Sequence, residues 1–319
     1  MRADHWRPHA ADAATTEFAR EVLAGLGRTQ KSLPCRFFYD EVGSELFEEI
    51  TRTKDYYPTR TETAILREHA GSLAEGSEGA ILVEFGSGSS LKTEILLAQM
   101  PRLRAYLPVD VSPSALKGAA SRLAERFPNL RVSPVLGDFT QALPLPEALA
   151  AAPRIGFFPG STIGNFAPDE ARGLLAAMGR TLGEGARLII GVDLRKDART
   201  LIAAYNDREG VTAAFNLNLL ARINRELGGT FDLQFFRHEA LWNSTIGRIE
   251  MYLVSERAQE VDILGRRMRF AAEERIHTEN SYKYAPPAFA QLAQAAGWDA
   301  RRTCFDKDRL FAVFDLARV

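Results

Sequence analysis

Several segments of the 319-residue chain group residue types that could bind a small ligand and act on it. The first is Glu84-Phe85-Gly86-Ser87-Gly88-Ser89-Ser90, between a β-type apolar run and a helical period. Glycines at such a turn let the backbone approach a ligand while the next helix N-terminus faces it. Two spacers later stands Leu91, so the pattern is not the full G-x-G-x-x-G, and a nucleoside without pyrophosphate fits better. Asp110 ends the next strand candidate, 24 residues after Gly86, near the spacing at which a carboxylate meets ribose hydroxyls. Gly137-Asp138-Phe139 follows a third strand candidate. There an acid can accept from an adenine amino group while a ring packs on its face. Lys92, one turn into the glycine-loop helix, could reach a cofactor carboxylate, against the plainer reading of a solvated lysine.

A second group is Phe157-Phe158-Pro159-Gly160-Ser161-Thr162-Ile163-Gly164-Asn165-Phe166, where the amide of Asn165 could orient an amine's lone pair or simply serve a turn. A third comprises Tyr205, Asn243, Met251 and the tract Arg275-Ile276-His277-Thr278-Glu279-Asn280-Ser281. Glu279 and Ser281 are two apart, so on a strand they face the same side. A carboxylate beside a hydroxyl could grip the two nitrogens of an imidazole, or an ammonium; a solvated edge strand is the plainer alternative. The five histidines are dispersed with no ligand spacing, so no metal site is expected.

The elements that must position these groups follow from apolar periodicity. Ile81–Phe85, Leu103–Asp110, Arg131–Val135, Arg154–Phe158 and Arg187–Val192 are strand candidates, and helical spacing separates them. Leu116, Ala119, Ala120, Leu123 and Phe127, after Ser112-Pro113, show that spacing best. Alternation at this cadence predicts a doubly wound parallel sheet. A helix from Thr59 with Glu62 as a capping box precedes it. A helix through Phe289–Ala296 and a hairpin around Asp306–Arg309 end the chain, so an antiparallel pair closes the sheet. Residues 197–281 interrupt this core with a helical stretch, Leu201–Leu227. The strand candidates Leu233–Phe236, Arg248–Val254 and a hairpin at Leu264-Gly265-Arg266 come after it. About 85 residues is too long for a loop and predicts a separately folded lobe.

Composition narrows the partners. Forty basic against forty-one acidic residues give a net charge of −1, which predicts no nucleic-acid or anionic-membrane partner. No apolar run approaches a membrane helix, and Met1–Phe18 reads as a polar leader without a signal peptide's apolar region. Two distant cysteines, Cys35 and Cys304, predict a reducing, cytoplasmic setting.

Leu33-Pro34-Cys35-Arg36-Phe37-Phe38-Tyr39-Asp40, Gly43-Ser44-Glu45-Leu46-Phe47 and Tyr56-Tyr57-Pro58-Thr59-Arg60-Thr61-Glu62 together resemble an N-terminal signature. With Glu84–Ser89, Lys92, Phe158–Phe166 and the Glu279/Ser281 pair, the chain from about residue 20 resembles the histidine-specific S-adenosylmethionine (SAM)-dependent methyltransferases. The YYPTR and FPGSTIGNF strings are far more specific than the glycine turn. The resemblance implies an α/β fold: a Rossmann-like SAM methyltransferase core with an antiparallel C-terminal hairpin, plus a second α+β substrate-binding lobe. Residues 1–59 would be leader and first part of that lobe, 60–196 the core, 197–281 the inserted lobe, and 282–319 the end of the core.

The resemblance further implies Nα-trimethylation of L-histidine to hercynine, as in ergothioneine biosynthesis; the protein is expected to be a monomer acting on a free amino acid. Tyr56, Asn165 and Tyr205 would hold the carboxylate and amine region, Glu279 and Ser281 the imidazole, and Met251 would lie near that ring. Tyr39 and Phe47 would line the amino group, with Tyr39 and Asn165 in the catalytic roles. Gly86, Ser87, Gly88, Lys92, Asp110, Asp138 and Phe139 would contact SAM. Asn280 and Tyr282-Lys283-Tyr284 depart from the usual pattern, which leaves open another aromatic amino acid such as tryptophan, or another small amine. A non-catalytic SAM-binding subunit is a separate alternative, against which the intact set of Tyr56, Asn165, Tyr205, Glu279 and Ser281 speaks.

Overall fold

The computed structural model describes residues 10–86 and 91–319. The chain forms α1 (Ala10–Leu26), α2 (Glu41–Ile50) and α3 (Pro58–Leu73), then β1 (Ile81–Phe85), α4 (Leu91–Leu97), β2 (Ala105–Asp110) and α5 (Pro113–Arg126). Next are β3 (Val135–Leu136), β4 (Arg154–Phe158), α6 (Pro168–Leu182) and β5 (Arg187–Asp193). They are followed by α7 (Ala198–Tyr205), α8 (Val211–Leu227), β6 (Phe236–Asn243), β7 (Arg248–Ser255), β8 (Gln259–Ile263), β9 (Arg266–Phe270) and β10 (Arg275–Tyr282). α9 (Pro286–Ala295), β11 (Trp298–Phe305) and β12 (Phe311–Arg318) end the chain. Residues 57–196 with 282–319 make one compact unit, and 1–56 with 197–281 another.

In the first of these units the sheet order is β11-β12-β5-β4-β1-β2-β3. β1 to β5 run parallel, while β12 pairs antiparallel with both β5 and β11. β1 is buried at every position, as a parallel strand covered on both faces must be. Its side chains alternate: Ile81, Val83 and Phe85 join Leu174, Met178 and Trp298, whereas Leu82 packs with Ile65, Leu96 and Phe311. Strand order reverses between β1 and β4, the switch point beside which such sheets bind ligands at their carboxyl ends. Two expectations need correction. The third strand is only Val135–Leu136, because Pro134 has no N–H to donate; a lone bridge from Tyr106 to Val132 precedes it. α3 starts at Pro58 with no side-chain cap, and Glu62 is turned into the core rather than back to Thr59.

The other unit contains a three-stranded sheet, β10-β7-β6, and the β8-β9 hairpin. Leu264 and Gly265, with φ of 50° and 74°, make the left-handed turn that such a two-residue hairpin needs. The expected helix Leu201–Leu227 is broken at Asn206–Gly210, where Asp207 accepts from the Val211 and Thr212 amides at 3.0 and 2.7 Å and starts α8 afresh. Leu233–Phe235 is a 3-10 turn rather than a strand; the strand begins at Phe236. Helices α1 and α2 have no counterpart in the sequence reading. Among the described residues no helix is long and apolar enough to cross a membrane, and no cluster of three His, Cys, Asp or Glu could hold a metal ion.

Candidate active site

Register alone assembles the sheet edge. Phe85 pairs with Val109 and Asp110 with Leu136. The Gly86 amide then donates to the Val109 carbonyl at 2.9 Å, and the Gly137 amide to the Asp110 carbonyl at 3.0 Å. Gly86, Asp110 and Gly137–Phe139 therefore stand side by side at the carboxyl ends of three adjacent strands. Gly86 has φ 77°, and a Cβ there would lie 3.5 Å from Phe139 Cε1, so the Phe139 ring lies over a backbone kept bare. Phe139 meets Phe158 edge-on at 5.6 Å between centroids. Asp110 Oδ1 accepts from the Ser112 amide at 3.0 Å, and Asp138 Oδ1 from the Thr140 amide and hydroxyl at 2.9 and 2.7 Å. These local turns fix both carboxylates at the starts of their loops. A bare backbone, two anchored acids and a ring suit a nucleoside, so the residues present fit SAM's adenosine half. Ser87 and Gly88 lie outside the described residues.

Two buried acids that the sequence reading gave no such role brace this edge. Glu84 accepts from Thr93 Oγ1 at 2.7 Å and from the Tyr106 hydroxyl, tying β1 to α4 and β2; burial pushes its carboxyl up to about 7. Glu62, 1% exposed, takes Lys92 Nζ at 2.5 Å and the Gly160 amide at 2.9 Å. Gly191 makes room for it, since a Cβ there would come within 2.0 Å of Glu62 Oε1. Lys92 is thus ion-paired rather than solvated, and Glu62 joins α3, α4 and the segment after β4. That segment carries Gly160 and Ser161 at φ 84° and 57° and turns through Thr162–Asn165, where Asn165 is half-buried.

A third network has Asp193 at its centre, at the end of β5. Tyr57 donates its hydroxyl to Asp193 at 2.8 Å, Lys283 Nζ lies 2.7 Å from Oδ2, and Lys196 bonds both Asp193 and the Tyr57 hydroxyl. Burial alone would raise Asp193, but Lys283 and Lys196 more than offset it and leave the carboxyl below its ordinary value. Burial also pushes Lys196 down to about 8. Lys283, a departure from the usual pattern by sequence, is thus a fully buried counter-ion.

The unit of residues 1–56 and 197–281 gathers Tyr39, Phe47, Tyr56, Tyr205, Met251, Glu279 and Ser281. Ring contacts run unbroken from Tyr39 to Phe47 (5.6 Å), Phe47 to Tyr56 (6.3 Å) and Tyr56 to Tyr205 (6.3 Å). The Tyr205 hydroxyl then bonds Ser281 Oγ at 2.7 Å. Glu279 and Ser281 are buried and share one face of β10. Burial, and after it the Glu279 charge, pushes the Cys35 thiol up to about 12, so the carboxylate stands near the Tyr39 loop. Met251 is buried on β7, its carbonyl accepting from Thr278 Oγ1 at 3.1 Å.

Sequence reasoning missed Phe215 of α8, which touches Tyr39 and Phe47 at 5.8 and 6.1 Å and stacks on Phe38. It also missed Asp40, which caps α2 through the Gly43 amide at 2.7 Å and accepts from Asn218 at 2.8 Å. The Asp-x-x-Gly spacing was the available signal: a Cβ at Gly43 would fall 1.7 Å from the Phe38 carbonyl oxygen.

Comparison with known proteins identifies the family. The model of the histidine-specific, SAM-dependent methyltransferases matches residues 18–318. Over 296 residues, 90% of each chain, the sequence is 44% identical to the histidine N-alpha-methyltransferase of Mycolicibacterium smegmatis. Identity to the enzyme of that name from Mycobacterium tuberculosis is 42% over 291 residues, again 90% of each. Among solved structures, a mitomycin 7-O-methyltransferase matches with a TM-score of 0.50 at 15% identity, over 98% of this chain and 74% of that one, a likeness of fold alone. With the family pattern spanning nearly the whole chain, the protein belongs to the histidine-specific, SAM-dependent methyltransferase family.

Proposed function

We propose that the protein methylates the α-amine of L-histidine in three SAM-dependent steps, yielding the trimethylated betaine hercynine for ergothioneine biosynthesis. Family membership supports the reaction class. The observation that carries the acceptor assignment is the Glu279/Ser281 pair on one face of β10, with Ser281 bonded to Tyr205. A carboxylate and a hydroxyl can engage both imidazole nitrogens, whereas an indole offers a single N–H donor.

SAM, when bound, supplies an electrophilic sulfonium methyl group. Gly86, Asp110, Asp138 and Phe139 would hold its nucleoside, and Lys92, already anchored by Glu62, would have donors left for its carboxylate. Tyr56, Asn165 and Tyr205 would hold the substrate's carboxylate and amine region through neutral donors, which favours a free amino acid over a peptide. The amine must be unprotonated to attack; α-amino groups titrate near pKa 8 in peptides and somewhat higher in free amino acids, so water can accept that proton without a strong general base. The protein's work is then alignment and exclusion of water, with Tyr39 and Phe47 facing the growing cationic head by cation–π contact. Free thiols at Cys35 and Cys304 suit a cytoplasmic, reducing setting.

The deciding experiment offers purified protein SAM and an equimolar pool of the common amino acids, with products read by mass spectrometry. Trimethylhistidine as dominant product is expected. A different methylated amino acid overturns the acceptor assignment, and SAM binding without any product overturns the enzymatic reading.

A further inference from the structure

His238 of β6 is half-buried and has both ring nitrogens engaged. Nε2 lies 2.8 Å from the Tyr205 carbonyl oxygen, and Nδ1 lies 2.8 Å from Asn216 Nδ2 of α8. The proton positions follow from the partners. A carbonyl only accepts, so Nε2 must carry the hydrogen. Asn216 Nδ2 also donates to the Tyr252 carbonyl at 3.0 Å, which fixes that end of the amide as the donor and makes Nδ1 the acceptor. Asn216 is fully buried, and its Oδ1 has no hydrogen-bond partner among the described residues. Turning the amide over would set Oδ1 against the Tyr252 carbonyl, so Oδ1 stays unpaired and Nδ2 serves both neighbours.

Tyr205 is the last residue of α7, where a helix carbonyl has no partner within the helix. His238 supplies that partner at the point where the chain breaks before Asp207. The Tyr205 ring, in turn, touches Tyr56 and bonds Ser281.

We propose that His238, locked as the Nε2–H tautomer by Asn216, is a positioning residue that holds Tyr205 in register with Ser281 and thereby sets the affinity for the acceptor amino acid. This rests on the reading of Tyr205 and Ser281 as acceptor contacts. Protonation of Nδ1 would put an N–H against the Asn216 N–H and break the lock. Burial disfavours the charged ring, while the hydrogen bond to the Tyr205 carbonyl and, after it, the Asp207 and Glu239 carboxylates favour it more weakly, so the group stays below its ordinary value.

The test compares His238→Phe, His238→Gln and Tyr205→Phe in the full chain. It measures KM and kcat for histidine, SAM affinity by calorimetry, and the wild-type ring tautomer by 15N NMR between about pH 6 and 8. His238→Phe is expected to raise the histidine KM about fivefold to tenfold, the equivalent of one ordinary hydrogen bond, with SAM affinity unchanged. His238→Gln, which can donate to Tyr205 and accept from Asn216, is expected to restore most of the loss. NMR is expected to show a protonated Nε2 and a bare Nδ1. An unchanged KM in His238→Phe, with a raised KM in Tyr205→Phe, overturns the positioning role and leaves the acceptor site standing. An unchanged KM in Tyr205→Phe overturns both. The opposite tautomer, or no rescue by glutamine, also overturns the proposal. Should His238→Phe fail to fold, the glutamine variant's KM and the tautomer decide.

Discussion

Replacing Glu62 with alanine tests the buried brace behind the glycine turn. The side chain is 1% exposed and contacts Lys92 Nζ at 2.5 Å and the Gly160 amide at 2.9 Å. Its loss strands an ammonium whose side chain is only 19% exposed, and orphans a backbone donor. Breaking a buried pair costs about 3–5 kcal/mol; Lys92 can turn partly to water, which argues for about 3. An orphaned amide adds about 1 kcal/mol, for a total near 4. At about 2–4 °C per kcal/mol for a unit of this size, melting should fall by about 10 °C. Glu62→Gln keeps an acceptor for Gly160 and loses only the charge, so it should cost about half as much. The paired variant Glu62→Ala with Lys92→Met should be more stable than Glu62→Ala alone, because removing both partners leaves no stranded charge. Calorimetric melting of the four proteins is the assay. A Glu62→Ala protein melting within about 2 °C of wild type would refute the accounting, as would a paired variant less stable than Glu62→Ala.

Glu84 supplies a pH test. Its folded-state value of about 7 exceeds the ordinary 4.5, so its contribution is whole below 4.5 and fades as pH rises through 7. Glu84→Gln should therefore flatten the fall in stability between these pH values in urea titrations, and an unaltered slope would contradict the assignment. Glu279→Ala should raise the histidine KM by about 10–100-fold, as expected for a charge-assisted hydrogen bond, with SAM affinity unchanged by calorimetry. A parallel loss of SAM binding would mark Glu279 as structural. Tyr39→Leu, which removes the ring, should alter the yields of the di- and trimethylated products more than histidine binding; an equal loss at all three steps would argue against its contact with the cationic head.

The amino-acid sequence by itself determined the parallel sheet, its antiparallel closure, and the residues at its carboxyl edge, because these depend on local periodicity and on turns that follow strands directly. Gly86, Asp110 and Phe139 needed only the alternation of strand and helix to be seen as one row. Glu279 and Ser281 needed only the two-residue period of a strand. Where local rules compete, the sequence misled. Pro134 cut the third strand short, and Asp207 with Gly210 split a helix that apolar spacing alone would have continued. What tertiary structure alone decided was which polar side chains are buried and with whom. Glu62 reads as a capping box on α3, yet its nearest charge is 30 residues away on α4. His238 reads as one of five scattered histidines until folding brings Tyr205, 33 residues earlier, and Asn216, 22 residues earlier, against its two nitrogens. Burial makes such partners obligatory, since an unpaired polar group in the core costs more than its hydrogen bond gains, but nothing in the local sequence names the partner.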